Sequence, residues 1–176
     1  SRLVDGQPEP QPGAFLLTRS GHWLMSSRNA LQSYRNGTFT TLATVGQPGV
    51  TTDFIQQLFE DRAGVLWMNT ENGLYWYVDG KTEKIDEARG FTGGSVNAFH
   101  EDQDGVIWIG TWIGGLSSHD PGAAMIHTLR HQDGDPSSLP ADPVVAVAPE
   151  PDGSLWLALG ESAGLVRIDP ERGVLE

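Results

Sequence analysis

Few side chains in this sequence stand where chemistry would need them. The histidines are His22, His100, His119, His127 and His131. His127 and His131 are four apart, which on an extended strand separates them by about 13 Å along the chain, too far for two ligands of one zinc ion. The acidic turns Asp61, Asp102-Gln103-Asp104-Gly105 and Asp152-Gly153 lack the further oxygens and the terminal Glu that a calcium loop of the EF-hand type requires. They read as turn caps, and no metal site is expected. The serines in Ser26-Ser27, Ser117-Ser118 and Ser137-Ser138 have no glycine elbow around them, and no Gly-rich phosphate loop occurs. Asn36-Gly37-Thr38 matches a glycosylation acceptor but reads better as a hairpin turn. Carboxylates are numerous enough for a glycosidase pair, yet repetition accounts for most of them. No catalytic residue and no cofactor is expected. Recognition by a few loop residues is what remains, and those loops depend on the elements that carry them.

Composition narrows the field. The 176 residues hold 38% hydrophobic side chains, spread along the whole length, which is enough for a core. With 22 Gly and 11 Pro, many short strands joined by tight turns are expected. The formal net charge of -12, with Lys81 and Lys84 as the two lysines, argues against nucleic acid, whose binding rests on cations that neutralise phosphates. The absence of cysteine removes disulfides, thiolate nucleophiles and Cys-based metal sites, and fits a bacterial cytosol or periplasm equally. No run approaches the 18 or more apolar residues of a membrane helix. The chain opens Ser1-Arg2-Leu3-Val4 and reads as a processed product or an excised piece, its targeting information cut away.

An internal repeat sets the architecture. Glu60-Asp61-Arg62-Ala63-Gly64-Val65-Leu66-Trp67 recurs as Glu101-Asp102-Gln103-Asp104-Gly105-Val106-Ile107-Trp108 and, more loosely, as Pro151-Asp152-Gly153-Ser154-Leu155-Trp156. Each is followed by a Gly-Leu pair, at Gly73-Leu74, Gly115-Leu116 and Gly164-Leu165. A weaker first copy, Arg19-Ser20-Gly21-His22-Trp23-Leu24, is one residue shorter between Gly and Trp. Trp23, Trp67, Trp108 and Trp156 are 44, 41 and 48 residues apart. That period suits propeller blades and exceeds leucine-rich or ankyrin repeats. Short alternating runs such as Leu155-Trp156-Leu157-Ala158-Leu159 favour strands over helical repeats. The expected fold is all-β: four repeats at 1–49, 50–92, 93–140 and 141–176, each a blade of four antiparallel strands, A to D, in a larger propeller of about seven blades. A closed four-bladed ring, or two chains pairing into eight blades, are the alternatives. Strand A precedes the acidic turn, strand B carries the Trp, strand C follows Gly-Leu, and Asn36-Gly37 and Asp79-Gly80 turn the chain into strand D. A lone blade cannot bury both faces, so all four repeated tryptophans are expected between blades.

The pattern Glu-Asp-x-x-Gly-x-x-Trp-x-x-Thr-x-x-Gly-Gly-Leu resembles the two-component regulator propeller repeat, best in Glu101-Asp102, Gly105, Trp108-Ile109-Gly110-Thr111 and Gly114-Gly115-Leu116. The connector from His131 to Leu139 is similar to that family's spacer. The resemblance is specific in repeats two and three and loose in one and four. It implies a periplasmic sensor region, joined through segments outside this chain to a membrane span and an output domain, typically a histidine kinase and sometimes a diguanylate cyclase.

In such a blade the B–C loop and the D–A connector leave at one end, and the A–B and C–D turns at the other. The A–B turns are near-uniform here, whereas the B–C loops differ between repeats, which makes them the natural place for recognition. The candidate ligand-binding residues are therefore Arg28, Glu71, Asn72, Trp112 and Glu161, with Trp112 foremost as an aromatic outside the repeat pattern. Aromatic, Arg and carboxylate groups together suit a saccharide or peptide surface; the competing reading has Trp112 packing over a neighbouring blade. The chain is thus expected to be a non-catalytic, ligand-sensing segment that takes a small ligand such as a saccharide, or another protein, and self-associates through open blade edges. The alternatives are a propeller enzyme, such as a lyase or glycoside hydrolase, and a protein-binding scaffold.

Overall fold

A computed structural model of the chain describes residues 3–4, 7–8, 12–46, 53–123, 125–160, 163–170 and 172–175. Among the described residues, apart from one 3-10 turn at Glu87–Arg89, every regular element is a strand. The chain divides into two compact units, residues 1–60 with 64–84, and residues 61–63 with 85–176. No helix among the described residues is long and apolar enough to cross a membrane.

The first unit opens with a two-residue pair, β1 (Leu3–Val4) against β2 (Gln7–Pro8). Blade 1 follows as β3 (Pro12–Leu17), β4 (Trp23–Ser27), β5 (Ala30–Arg35) and β6 (Thr38–Thr44), and blade 2 as β7 (Ile55–Glu60), β8 (Leu66–Thr70), β9 (Gly73–Val78) and β10 (Lys81–Ile85). The second unit holds blade 3, with β11 (Val96–Glu101), β12 (Ile107–Thr111), β13 (Leu116–His119) and β14 (Ile126–Leu129). Blade 4 has β15 (Val144–Pro149), β16 (Leu155–Leu159), β17 (Gly164–Asp169) and β18 (Gly173–Val174). Each blade is one four-stranded sheet in sequence order, the outcome expected when short connections join neighbouring antiparallel strands.

Local sequence explains the turns. Asn36 and Gly37 take φ of 51° and 82°, Asp79 and Gly80 φ of 50° and 78°, the left-handed pair that a two-residue hairpin needs to match strand twist. The A–B connection spans five residues in every blade, with a Gly at its fourth place (Gly21, Gly64, Gly105, Gly153) at φ between 80° and 89°. Every strand A also carries an irregularity near its start, at Pro12/Phe15, Ile55/Gln57, Val96/Ala98 and Val144/Ala146. A bulge there adds local twist at the start of each sheet.

The equal turn lengths correct one expectation. Leu17 faces Trp23 across the first hairpin as Glu60 faces Leu66, Glu101 faces Ile107 and Pro149 faces Leu155. Trp23 is therefore the partner in register of Leu66, and Leu24 occupies the place of Trp67, Trp108 and Trp156. The missing residue between Gly21 and Trp23 leaves the turn unchanged and shifts the strand by one, which puts Trp23 on the other face of its sheet. Trp23 is 47% exposed, whereas Trp67 and Trp108 are 1% and 7% exposed and Trp156 is half-buried.

The core sits between blades. We call the face of a blade that carries the first, third and fifth residues of strand B its leading face, and the other its trailing face. In the first unit the trailing side of blade 1 (Leu24, Leu31) packs with the leading side of blade 2 (Leu58, Leu66, Met68, Tyr75). In the second, Trp108 and Leu116 of blade 3 pack with Leu155, Leu157 and Leu159 of blade 4, joined by Leu139 from the spacer. Each large side chain buried this way contributes about 1.5–3 kcal/mol. Small residues on strand B let the backbones approach. Ser26 Oγ donates to the Ile55 carbonyl at 2.9 Å, and a Cβ on Gly110 would stand 2.8 Å from Val144 Cγ1 and 3.2 Å from the Val144 oxygen.

Candidate functional site

The B–C loop of blade 3 stands on the most buried strand of its unit. All five residues of β12 are buried, and Thr111 turns its hydroxyl into the loop, donating to the Gly115 carbonyl and accepting from the Gly114 amide at 2.8 Å. Trp112 is fixed by its own amide, which donates to the Ser95 carbonyl at 2.9 Å, while its side chain stays 50% exposed beside Ile113 at 60%. Gly114 has to be glycine, because a Cβ there would overlap the backbone of Gly93. A rigid strand thus presents two adjacent apolar side chains to solvent, which is the arrangement a binding loop needs.

Two groups from the D–A connector complete this patch. Arg130 Nη2 donates to the Ile113 carbonyl at 3.1 Å and reaches Asp142 Oδ2 at 3.2 Å. Asp142 Oδ1 also accepts from the His131 amide at 2.7 Å. The ion pair is partly exposed and is worth little to stability, but it sets a guanidinium, paired with a carboxylate, against the Ile113 carbonyl. Arg130 and Asp142 were absent from the sequence-based candidates. Their signal is position: they flank the spacer from His131 to Leu139.

Inside the spacer, His131 lies between the Leu139 carbonyl, 2.7 Å from Nδ1, and Asp133 Oδ1, 3.1 Å from Nε2. The carbonyl, then the Asp133 carboxylate, raise its pKa above the usual 6.5. Leu139 is fully buried in the core below.

The other candidates are placed separately. In the first unit Arg28 is exposed, at φ 55°, and its carbonyl accepts from the Ile55 amide at 3.0 Å. Glu71 and Asn72 are exposed on the next B–C loop, where the Asn72 amide donates to Thr70 Oγ1 at 3.2 Å. Glu161 lies outside the described residues. Of these candidates, Trp112 is the one whose chain neighbour, Ile113, bonds to a side chain from the D–A connector, Arg130.

At the other end of the second unit the A–B turns frame an open hollow of about 970 Å³, lined among others by Gln103, Asp104, Trp108, Pro149, Glu150 and Asp152. Its position follows from a broken pattern. The second residue of an A–B turn donates its amide to the last residue of another strand A: Arg19 to Glu60 at 2.7 Å in the first unit, Arg62 to Glu101 at 2.8 Å in the second. Arg62 adds an ion pair to Glu101 at 2.9 Å. The next pair by position is Gln103 and Pro149, and proline offers no carboxylate. Three of the carboxylates around the hollow have partners: Asp102 accepts from Trp108 Nε1 at 2.8 Å, and Arg167 holds Glu150 and Asp152 at 2.9 and 2.6 Å. Ser154, then Arg167, lower the pKa of Asp152. Asp102 and Asp152 cap their turns, as expected, accepting from the Asp104, Val106 and Ser154 amides, and among the described residues no group of three or more His, Cys, Asp or Glu could hold a metal ion.

Comparison with known proteins agrees with this architecture. Residues 90–113, from the turn before blade 3 to the Trp112 loop, match the family profile described as Two component regulator propeller. No curated protein matches the chain in sequence. Among solved structures, the extracellular domain of the hybrid two component system BT3049 from B. thetaiotaomicron is 16% identical with a TM-score of 0.75, over 100% of this chain and 26% of that one. The corresponding domain of BT4673 from the same organism is 20% identical with a TM-score of 0.69, over 92% and 22%. Virginiamycin B lyase from Staphylococcus aureus is similar too, at 15% identity and a TM-score of 0.68, over 95% and 55%. The chain spans about a quarter of the two sensor domains and about half of the lyase. It is a run of blades from a larger β-propeller, and its residues 90–113 match the two component regulator propeller repeat.

Proposed function

We propose that this chain is a non-catalytic, ligand-binding stretch of the extracellular sensor propeller of a bacterial two-component signalling protein, periplasmic in location and joined to its output domain through segments outside this sequence. The observation that carries the reading is the Trp112–Ile113 loop: two exposed apolar side chains on a fully buried strand, edged by Arg130 and Asp142. An exposed indole, with a guanidinium and its carboxylate partner at the adjoining Ile113 backbone, suits the apolar face and hydroxyls of a saccharide, or a short peptide. Binding there would bias how the larger propeller packs and so the state of the output domain. The family repeat and the likeness to sensor domains support this setting. A protein partner is the second reading, favoured by the adjacent exposure of Trp112 and Ile113.

The test is a thermal-shift and calorimetric titration with neutral oligosaccharides and dipeptides, on the native chain and on Trp112→Ala. Binding by the native chain, weakened about tenfold or more in the variant with its melting temperature unchanged, is the expected result. Equal binding by both would remove the site from this loop. Chemical conversion of a probe would replace sensing with catalysis, as in a lyase or glycoside hydrolase.

A further inference from the structure

One guanidinium of the second unit shows what its A–B turns receive. Arg62 stands second in its turn, with Nε 2.9 Å from Glu101 Oε1, and its Nη1 donates to the Gln103 carbonyl at 2.9 Å. The receiver therefore has two parts. One is a carboxylate from the end of the next strand A, and the other is the carbonyl of the second residue in the next turn. A planar guanidinium, with several donors in fixed directions, fits such a pair of acceptors.

One repeat further on, the same receiver stands without its cation. Gln103 takes the place of Arg62, Pro149 that of Glu101, and Pro151 that of Gln103. Among the described residues the Pro151 carbonyl, the Gln103 amide and the Asp104 carboxylate have no hydrogen-bond or ion-pair partner. All three residues line the hollow of about 970 Å³, and Val106, Trp108 and Pro149 give it an apolar wall. The other acids there are engaged: Glu101 by Arg62, Asp102 by Trp108 Nε1, and Glu150 and Asp152 by Arg167. Asp169 stands 3.9 Å from Arg172 Nε. The unengaged carboxylate is that of Asp104.

We infer that this hollow binds a guanidinium on an apolar stem, supplied from outside the chain, with the Asp104 carboxylate and the Pro151 carbonyl as its acceptors. Asp104 then does for the ligand what Glu101 does for Arg62, and Pro151 what Gln103 does. The apolar wall receives the stem, as apolar surface receives the methylenes of Arg and Lys. Gln103, shorter than arginine and uncharged, leaves the space and the charge unfilled. The hollow is built from two adjacent blades inside the run, so it does not depend on where the chain begins or ends. It lies at the opposite end of the blades from the Trp112 loop, and binding at either place succeeds or fails without the other. A free guanidino compound and the arginine side chain of a peptide both carry the group.

The test is a calorimetric titration of the native chain at low salt with butylguanidinium and with N-acetyl-arginine amide, two probes of equal charge. One-to-one binding is expected. Tighter binding of butylguanidinium assigns the site to a free guanidino compound, and tighter binding of the arginine amide assigns it to a peptide. Asp104→Asn should weaken either probe about threefold, the scale of one exposed ion pair, while Asp133→Asn on the spacer leaves both unchanged. Gln103→Arg combined with Pro149→Glu rebuilds the internal pair inside the hollow, and should abolish binding with the melting temperature kept or raised. No binding of either probe overturns the inference. So does binding that persists in the rebuilt variant, or that Asp133→Asn weakens as much as Asp104→Asn does. Either result would reduce it to general attraction toward a chain of net charge -12.

Discussion

The leading faces of blades 1 and 2 hold matched positions in opposite surroundings. Phe15 and Leu58 are equivalent in register, as are Trp23 and Leu66. The first member of each pair is 71% and 47% exposed, the second 8% and 3%. The two sheets have the same order, the same hairpin length and the same irregularity in strand A. What separates them is the presence of another sheet. Apolar character at these positions therefore belongs to the repeat, while burial belongs to the neighbour, and an exposed leading face states the kind of surface that completes it.

Truncation should make that difference measurable. Leu66→Ala removes a side chain packed against Leu24 and Met68 and leaves a cavity, at a cost of about 2–5 kcal/mol in denaturant unfolding. Trp23→Ala removes the larger side chain from the equivalent place and should cost under about 1 kcal/mol, chiefly its contact with Phe15. Equal losses would break the comparison, since they would mean the blade 1 face is covered in solution by the chain itself.

A smaller effect sharpens it at the end of strand A. The Glu101 side chain, 8% exposed, takes both the Arg62 amide and its guanidinium. Glu101→Ala leaves those donors without their carboxylate and should cost about 1–2 kcal/mol, discounted because Arg62 is itself half-exposed. Leu17 holds the same position on the open face of blade 1. Leu17→Glu should change stability by no more than about 0.5 kcal/mol, because solvent receives the charge there. A penalty near that of Glu101→Ala would show that Leu17 already has a packing partner.

The parts of this fold legible in the sequence are those where one residue type meets one backbone requirement. Asn36-Gly37 and Asp79-Gly80 name their hairpins because both residues of such a turn need positive φ. The A–B turns are legible for the same reason at Gly64 and Gly105. The irregularity in each strand A carries no such mark, since any residue can be the extra one. Spacing from Gly21 puts Trp23 on the wrong face, because the turn stays at five residues and the strand shifts instead. At the candidate site, Trp112 is visible as an aromatic that breaks the repeat. Arg130 and Asp142 are not, because they meet only through the path of the spacer between them.

Coverage also decides which titrations stability feels, and two histidines of the second unit should act on opposite sides of one pH. His119, on strand C of blade 3, has its pKa lowered from 6.5 by burial, which outweighs the nearby Asp120 and Asp61 carboxylates and adds to the Arg89 charge. The unfolded chain then binds the proton more readily, so the stability due to neutral His119 is complete above pH 6.5 and is lost as pH falls below it. For His131, on the exposed spacer, the Leu139 carbonyl and then the Asp133 carboxylate raise the pKa above 6.5. There the folded chain holds the proton more tightly, so its contribution is complete below pH 6.5 and is lost as pH rises through the raised value. Unfolding free energy should accordingly peak near pH 6.5. His119→Gln should flatten the acid side until the carboxylates titrate, and His131→Gln the alkaline side, by the smaller amount because solvent screens an exposed group. A profile that His131→Gln leaves unchanged on the alkaline side would mean that the spacer contact does not hold the ring in solution.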